Sequence, residues 1–105
     1  MGELVIAAYK AKPGCEAELL KLAVEHVPYL RSLGLVPERA AVAMRGKDGT
    51  IIEVFEWRDG AVARAHDMPE IQRLWERYGK VCDFILLETV PEAAGLFATF
   101  LPLDV

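Results

Sequence analysis

Apolar positions along the chain switch between two spacings. Residues 4–11 form an apolar run too short for a typical helix and closed by Lys12-Pro13-Gly14, which predicts a strand and a turn. From Glu16 onward Leu19, Leu20, Ala23, Val27 and Leu30 recur three or four apart, with Lys21, Glu25 and Arg31 between them. That is the pattern of an amphipathic helix, and Gly34 is its natural stop. Pro28 removes one backbone donor inside it, so a kink or brief break is expected near Val27. Residues 40–45 and 50–57 read as strands flanking Gly46-Lys47-Asp48-Gly49, whose Asp-Gly step favours a tight turn, and together they predict a hairpin. Asp59 can cap a second helix carrying Val62, Ala65 and His66. Met68-Pro69 interrupts it, because the residue before a proline avoids the helical region, and Pro69 can start the next turn. Ile71, Leu74, Trp75 and Tyr78 supply the apolar face of the continuation, and Gly79 weakens its end. Residues 84–90 read as a fourth strand. Beyond Pro91, Leu96-Phe97-Ala98-Thr99-Phe100-Leu101 is too hydrophobic to float free, so residues 91–105 are expected as a docked arm or an extra strand.

This order of elements, with right-handed crossovers, predicts an α+β fold: a ferredoxin-like βαββαβ antiparallel sheet with two helices on one face. With no repeat and no linker, residues 1–105 read as a single domain. The strands are apolar on both faces, Leu4, Ile6 and Ala8 against Val5, Ala7 and Tyr9, and Ile52 and Val54 against Ile51, Phe55 and Trp57. A sheet with one solvated face reads apolar on one side only. A homodimer through the face carrying Leu4, Ile6, Ile52, Val54 and Leu86 is therefore expected.

Phe55-Glu56-Trp57, followed by Ala61 and then His66, resembles the W-x(3)-A-x(4)-H stretch of the antibiotic-biosynthesis-monooxygenase-like family. With Lys12-Pro13-Gly14 opening the first helix, the likeness spans residues 3–90. The resemblance implies a dimeric α+β barrel with a small-molecule cavity between sheet and helices, and a cofactor-independent monooxygenase as one activity. Rough alignment places Ala7 and Trp75 where haem-degrading relatives carry asparagine and histidine, so haem degradation is not implied.

Composition narrows the partners. Twelve basic against sixteen acidic residues give a net charge of −4, and no stripe of Lys and Arg is available to neutralise phosphates, which argues against nucleic acid. Lys10 and Lys12 interrupt the first apolar run before a signal or membrane span is complete, so no membrane partner and a cytoplasmic location are expected. Cys15 and Cys82 lack a Cys-x-x-Cys spacing and read as free thiols. His26 and His66 have no third nitrogen ligand and no H-x-x-x-H spacing, and the chain lacks a Gly-x-Gly-x-x-Gly, a P-loop and a serine nucleophile elbow. No metal and no cofactor are expected.

Two residues carry candidate proton chemistry. Glu53 is a mid-strand carboxylate among apolar neighbours, and must be paired, hydrated or raised in pKa. It reads either as a general base or as half of an ion pair with Arg45 or Arg64. His66, at the helix break, reads as a proton shuttle beside Glu53 or as a cap of that break. His26 carries no expectation beyond packing or solvent. Trp57, Trp75, Tyr9, Phe55 and Tyr78 are the candidate lining for a hydrophobic or aromatic small molecule, or else core. The expectation is a small-molecule enzyme, a cofactor-independent oxygenase or an isomerase, with Glu53 and His66 as its catalytic pair. The alternative is a noncatalytic protein that binds a hydrophobic ligand.

Overall fold

The computed structural model describes residues 2–104. In chain order it contains β1 (Glu3–Ala11), α1 (Glu16–Ser32), β2 (Val42–Arg45), β3 (Ile51–Trp57), α2 (Ala61–His66), α3 (Pro69–Val81), β4 (Cys82–Ile85) and β5 (Leu101–Leu103), with short 3-10 turns at Leu87–Thr89 and Pro91–Ala94. The strands lie in the order β4-β1-β3-β2-β5, and every neighbouring pair is antiparallel.

This is one open sheet of five strands with three helices, and the expected barrel does not form. β4 holds four residues of β1, β5 holds three residues of β2, and the sheet ends there in two separate edges. Closing a sheet on itself requires strands that tilt and pair all the way round, and these edge strands are too short. The resemblance thereby loses the architecture it implied, and the oxygenase reading loses its support.

Register decides what each face carries. Val5 lies opposite Phe55, Ala7 opposite Glu53 and Tyr9 opposite Ile51, so these residues share one face, while Ile6–Val54 and Ala8–Ile52 point the other way. All three helices cover the first face. Leu19, Leu22, Ala23, Val27 and Leu30 of α1, Ala61 and Ala65 of α2, and Ile71 and Leu74 of α3 are buried in the main core with Ile51 and Phe55. α1 runs unbroken through Pro28, which is exposed and removes only the backbone bond to Val24. Gly60, not Asp59, precedes α2, with φ at 72°.

The far face is covered at one end and bare at the other. The fourth strand stops at Ile85, earlier than expected, because Thr89 turns the chain back: its amide and its hydroxyl both donate to the Leu86 carbonyl, at 2.9 and 2.7 Å. Val90 then lies buried against Ala8 and Ile52, with Phe100 packed beside it. Glu92 fastens this segment to the hairpin by accepting a hydrogen bond from the Lys47 amide at 2.8 Å. Gly46 leaves room for this contact, since a Cβ would lie 3.0 Å from both Glu92 carboxylate oxygens and push that side chain aside. At the bare end Leu4, Ile6 and Val42 are 67, 52 and 54% exposed. Leu86 does not belong to this face, because it lies past the end of β4. Leu96 and Phe97, expected to dock, are exposed as well, and of that stretch Phe100 is the residue that packs. Among the described residues no helix is long and apolar enough to cross a membrane.

Truncating Ile52 to alanine, at the covered end of the far face, is expected to cost about 2–5 kcal/mol, and Leu4→Ala at the bare end less than about 0.5 kcal/mol, in urea denaturation. Equal losses would show that the Leu4 end is covered in solution.

Candidate functional site

The centre of the helix-facing sheet surface is shaped by small residues around one carboxylate. Glu53 has Ala7 opposite it on β1 and Ala43 opposite it on β2. Neither neighbour fills the space above the sheet, so a side chain descending from α1 can reach the carboxylate. That side chain is His26. Its Nδ1 lies 2.9 Å from Glu53 Oε1, and the two residues are 5 and 2% exposed. His26 takes this position because it falls on the same helical stripe as Leu19, Leu22, Ala23 and Leu30.

The pairing corrects the expectation for Glu53. Arg45 and Arg64 are both exposed, and neither pairs with it. The other carboxylate of β3, Glu56, is held by Arg39 at 2.6 Å. His66 does not meet Glu53. It lies exposed on α2, one residue beyond the buried Ala65 and so about 100° round the helix from the packed side. Its carbonyl accepts a hydrogen bond from the Gln72 side-chain Nε2 at 3.0 Å, and its ring stands 5.0 Å from that of Trp75.

Beside the His26–Glu53 pair is a cavity of about 300 Å³. Tyr9, Phe55 and Trp57 line it from the strands and Trp75 and Tyr78 from α3, so all five residues expected to hold a ligand gather around one space. Val5, Ala7 and Phe84 complete the wall. Trp57 and Trp75 are half-buried and Phe84 is 58% exposed, which places the opening on their side. His26 also lines the cavity, while Glu53 stands behind it. The imidazole meets Tyr78 and Phe55 edge-on, with ring centres 5.2 and 5.5 Å away.

The hydrogen bond divides the work of the imidazole. With Glu53 as a carboxylate, Nδ1 carries the proton it donates, and Nε2 is left with a lone pair for whatever enters the cavity. The two phenols stay protonated. Burial, and next the nearby Glu53 charge, push both Tyr9 and Tyr78 well above the ordinary tyrosine range. The Tyr78 hydroxyl is buried and has no hydrogen-bond partner among the described residues. Cys82, pushed up to about 11 by burial and then by the Asp83 charge, remains a thiol. Among the described residues no three His, Cys, Asp or Glu side chains come together as a metal site would require.

His26 is the residue that sequence reasoning missed. The signal was its spacing from Leu19, Leu22 and Leu30, which places an ionisable ring on the buried side of the helix.

Replacing His26 with leucine leaves a buried carboxylate without its partner and is expected to cost about 3–5 kcal/mol, whereas the double variant His26→Leu/Glu53→Leu should lose less than either single change. Urea denaturation of the four proteins checks this, and simple additivity would show the pair to be uncoupled. A second expectation concerns alkaline pH. Because Tyr9 and Tyr78 keep their protons in the folded state, the unfolded chain binds fewer protons above its tyrosine pKa of about 10, so stability falls as pH rises past that value. The slope approaches about 1.4 kcal/mol per pH unit for each tyrosine, and denaturation at pH 9 to 11 should show it shrink in Tyr78→Phe.

Comparison with family models, with curated proteins and with solved structures finds no match. The chemistry of this cavity rests on its own residues.

Proposed function

We propose that this protein moves a proton on a small, uncharged, largely apolar molecule, as an isomerase does, with His26 as the base and Glu53 as its positioning residue. The observation that carries the reading is the buried 2.9 Å contact between His26 and Glu53 at the wall of an aromatic cavity. A base is most effective where water is excluded and its orientation is already set, and both conditions favour proton transfer here. In the step, a C–H bond of the ligand breaks as an Nε2–H bond forms. The electron pair is delocalised into the ligand, and the Glu53 carboxylate balances the imidazolium. The same proton then returns to a second atom, so nothing else is consumed.

The cavity size supports a small ligand, since about 300 Å³ lies at the lower end of the range of about 300–1,000 Å³ that small-molecule sites span. Among the described residues no Lys or Arg lines the cavity, which supports an uncharged one. His66, outside the cavity and edge-on to Trp75, serves in this reading only to steady that indole. The two free cysteines, Cys15 and Cys82, support a reducing compartment such as the cytoplasm.

The test is deuterium exchange from D2O into the C–H positions of two neutral bicyclic molecules, indene and 1-indanone, followed by proton NMR. The protein is expected to accelerate exchange, His26→Gln to lower the rate by about 100-fold or more, and Glu53→Gln to lower it less while displacing its pH profile. Binding of these molecules without any exchange would overturn the catalytic reading and leave a noncatalytic ligand-binding protein.

A further inference from the structure

Tyr78 presents a polar group that the proposed proton transfer does not use. The residue is 1% exposed, and its hydroxyl, buried to the last atom, finds no acceptor among the described residues. Buried hydroxyls are nearly always paired, because leaving one unpaired forfeits the hydrogen bonds it made to water. The same side chain lines the cavity, against the rings of His26 and Tyr9, each 5.2 Å from it centre to centre. A group of this kind fits an acceptor supplied from outside the chain.

The chemistry of the acceptor follows from the surroundings. The phenol is held protonated, so it acts as a donor. The acceptor is not an anion, because among the described residues no Lys or Arg lines the cavity and the Glu53 carboxylate stands close enough to act on both tyrosines. The walls are aromatic rings, which select a flat molecule. A carbonyl oxygen is an uncharged acceptor that lies in the plane of the ring bearing it, and it also acidifies the neighbouring C–H bonds that a base would attack. We infer that the cavity takes a flat, uncharged ketone, and that the Tyr78 hydroxyl donates to its carbonyl oxygen. The inference rests on the reading of this cavity as a small-molecule site and names the class of molecule.

The two assignments fit one another chemically. A carbonyl acidifies the C–H bonds next to it, and the charge that develops when such a proton leaves falls on the oxygen. In this inference the Tyr78 hydroxyl holds that oxygen and the His26 Nε2 takes that proton. As the C–H bond breaks and Nε2–H forms, a C=C bond forms and the carbonyl becomes an enolate oxygen held by the Tyr78 hydrogen bond. Return of the proton completes the cycle.

The experiment compares the binding of 1-indanone and of indene, which share a ring skeleton but differ in the carbonyl, by quenching of Trp57 and Trp75 fluorescence. The intact protein is expected to prefer 1-indanone. Tyr78→Phe should weaken 1-indanone by about fivefold to tenfold and leave indene within about twofold. Infrared spectra of 1-indanone bound to the unaltered protein provide a measurement that needs no variant: its carbonyl stretch should lie below its value in hexane. Equal affinities for the two molecules, or a carbonyl stretch at the hexane value, would overturn the inference. Failure to bind either molecule would overturn both it and the small-molecule reading of the cavity. Loss of deuterium exchange with the binding preference intact would sink only the proton transfer.

Discussion

A carboxylate and an imidazole buried together beneath a helix set the terms for everything packed around them. Either group alone would be too costly to desolvate, so the contact between His26 and Glu53 constrains two elements at once. α1 must present the His26 side to the sheet, and β3 must pair in the register that turns Glu53 toward it. A slip of one residue would send Glu53 to the far face and bring Ile52 beneath the imidazole. The alanines opposite Glu53 on both sides belong to the same constraint, since larger residues there would separate the partners. Buried polar pairs of this sort often add little net stability, but they penalise every alternative packing.

The strands and helices were legible because their apolar spacings are clean, and the break at Met68-Pro69 because proline leaves the preceding residue little choice. The cavity lining was legible too, from strand alternation at Tyr9, Phe55 and Trp57 and from the helical stripe through Trp75 and Tyr78. The proton chemistry was only half legible. Glu53 stood out as a charge among apolar residues on a strand, where period two leaves no doubt which way it points. His26 did not, because a histidine on an amphipathic helix reads as surface unless the stripe is traced through Leu22 as well as Leu19. His66 was misplaced by a single residue, which on a helix suffices to move a side chain from the core to solvent.

The largest misreading, the barrel, has a physical source in the tail. Strands apolar on both faces were taken to need a second layer from elsewhere. Part of that layer comes from the chain itself, where Val90 and Phe100 fold under Ala8 and Ile52. Hydrophobic pattern reports that a face will be covered, and says nothing of what covers it.

The pairing of β5 with the outer edge of β2 bears on the order in which the protein can be made. Val42–Arg45 emerges from the ribosome long before Leu101–Leu103, and the Glu92 carboxylate that fastens the hairpin follows Lys47 by 45 residues. During that interval β2 is an edge strand with unpaired amides and carbonyls, able to accept a strand from any neighbouring nascent chain. Elongation between these points takes a few seconds at about 5–20 residues per second, far longer than a hairpin needs to form. The chain therefore passes through a period in which most of its sheet can assemble while one side of it stays open to the wrong partner, and synthesis rate becomes a determinant of yield.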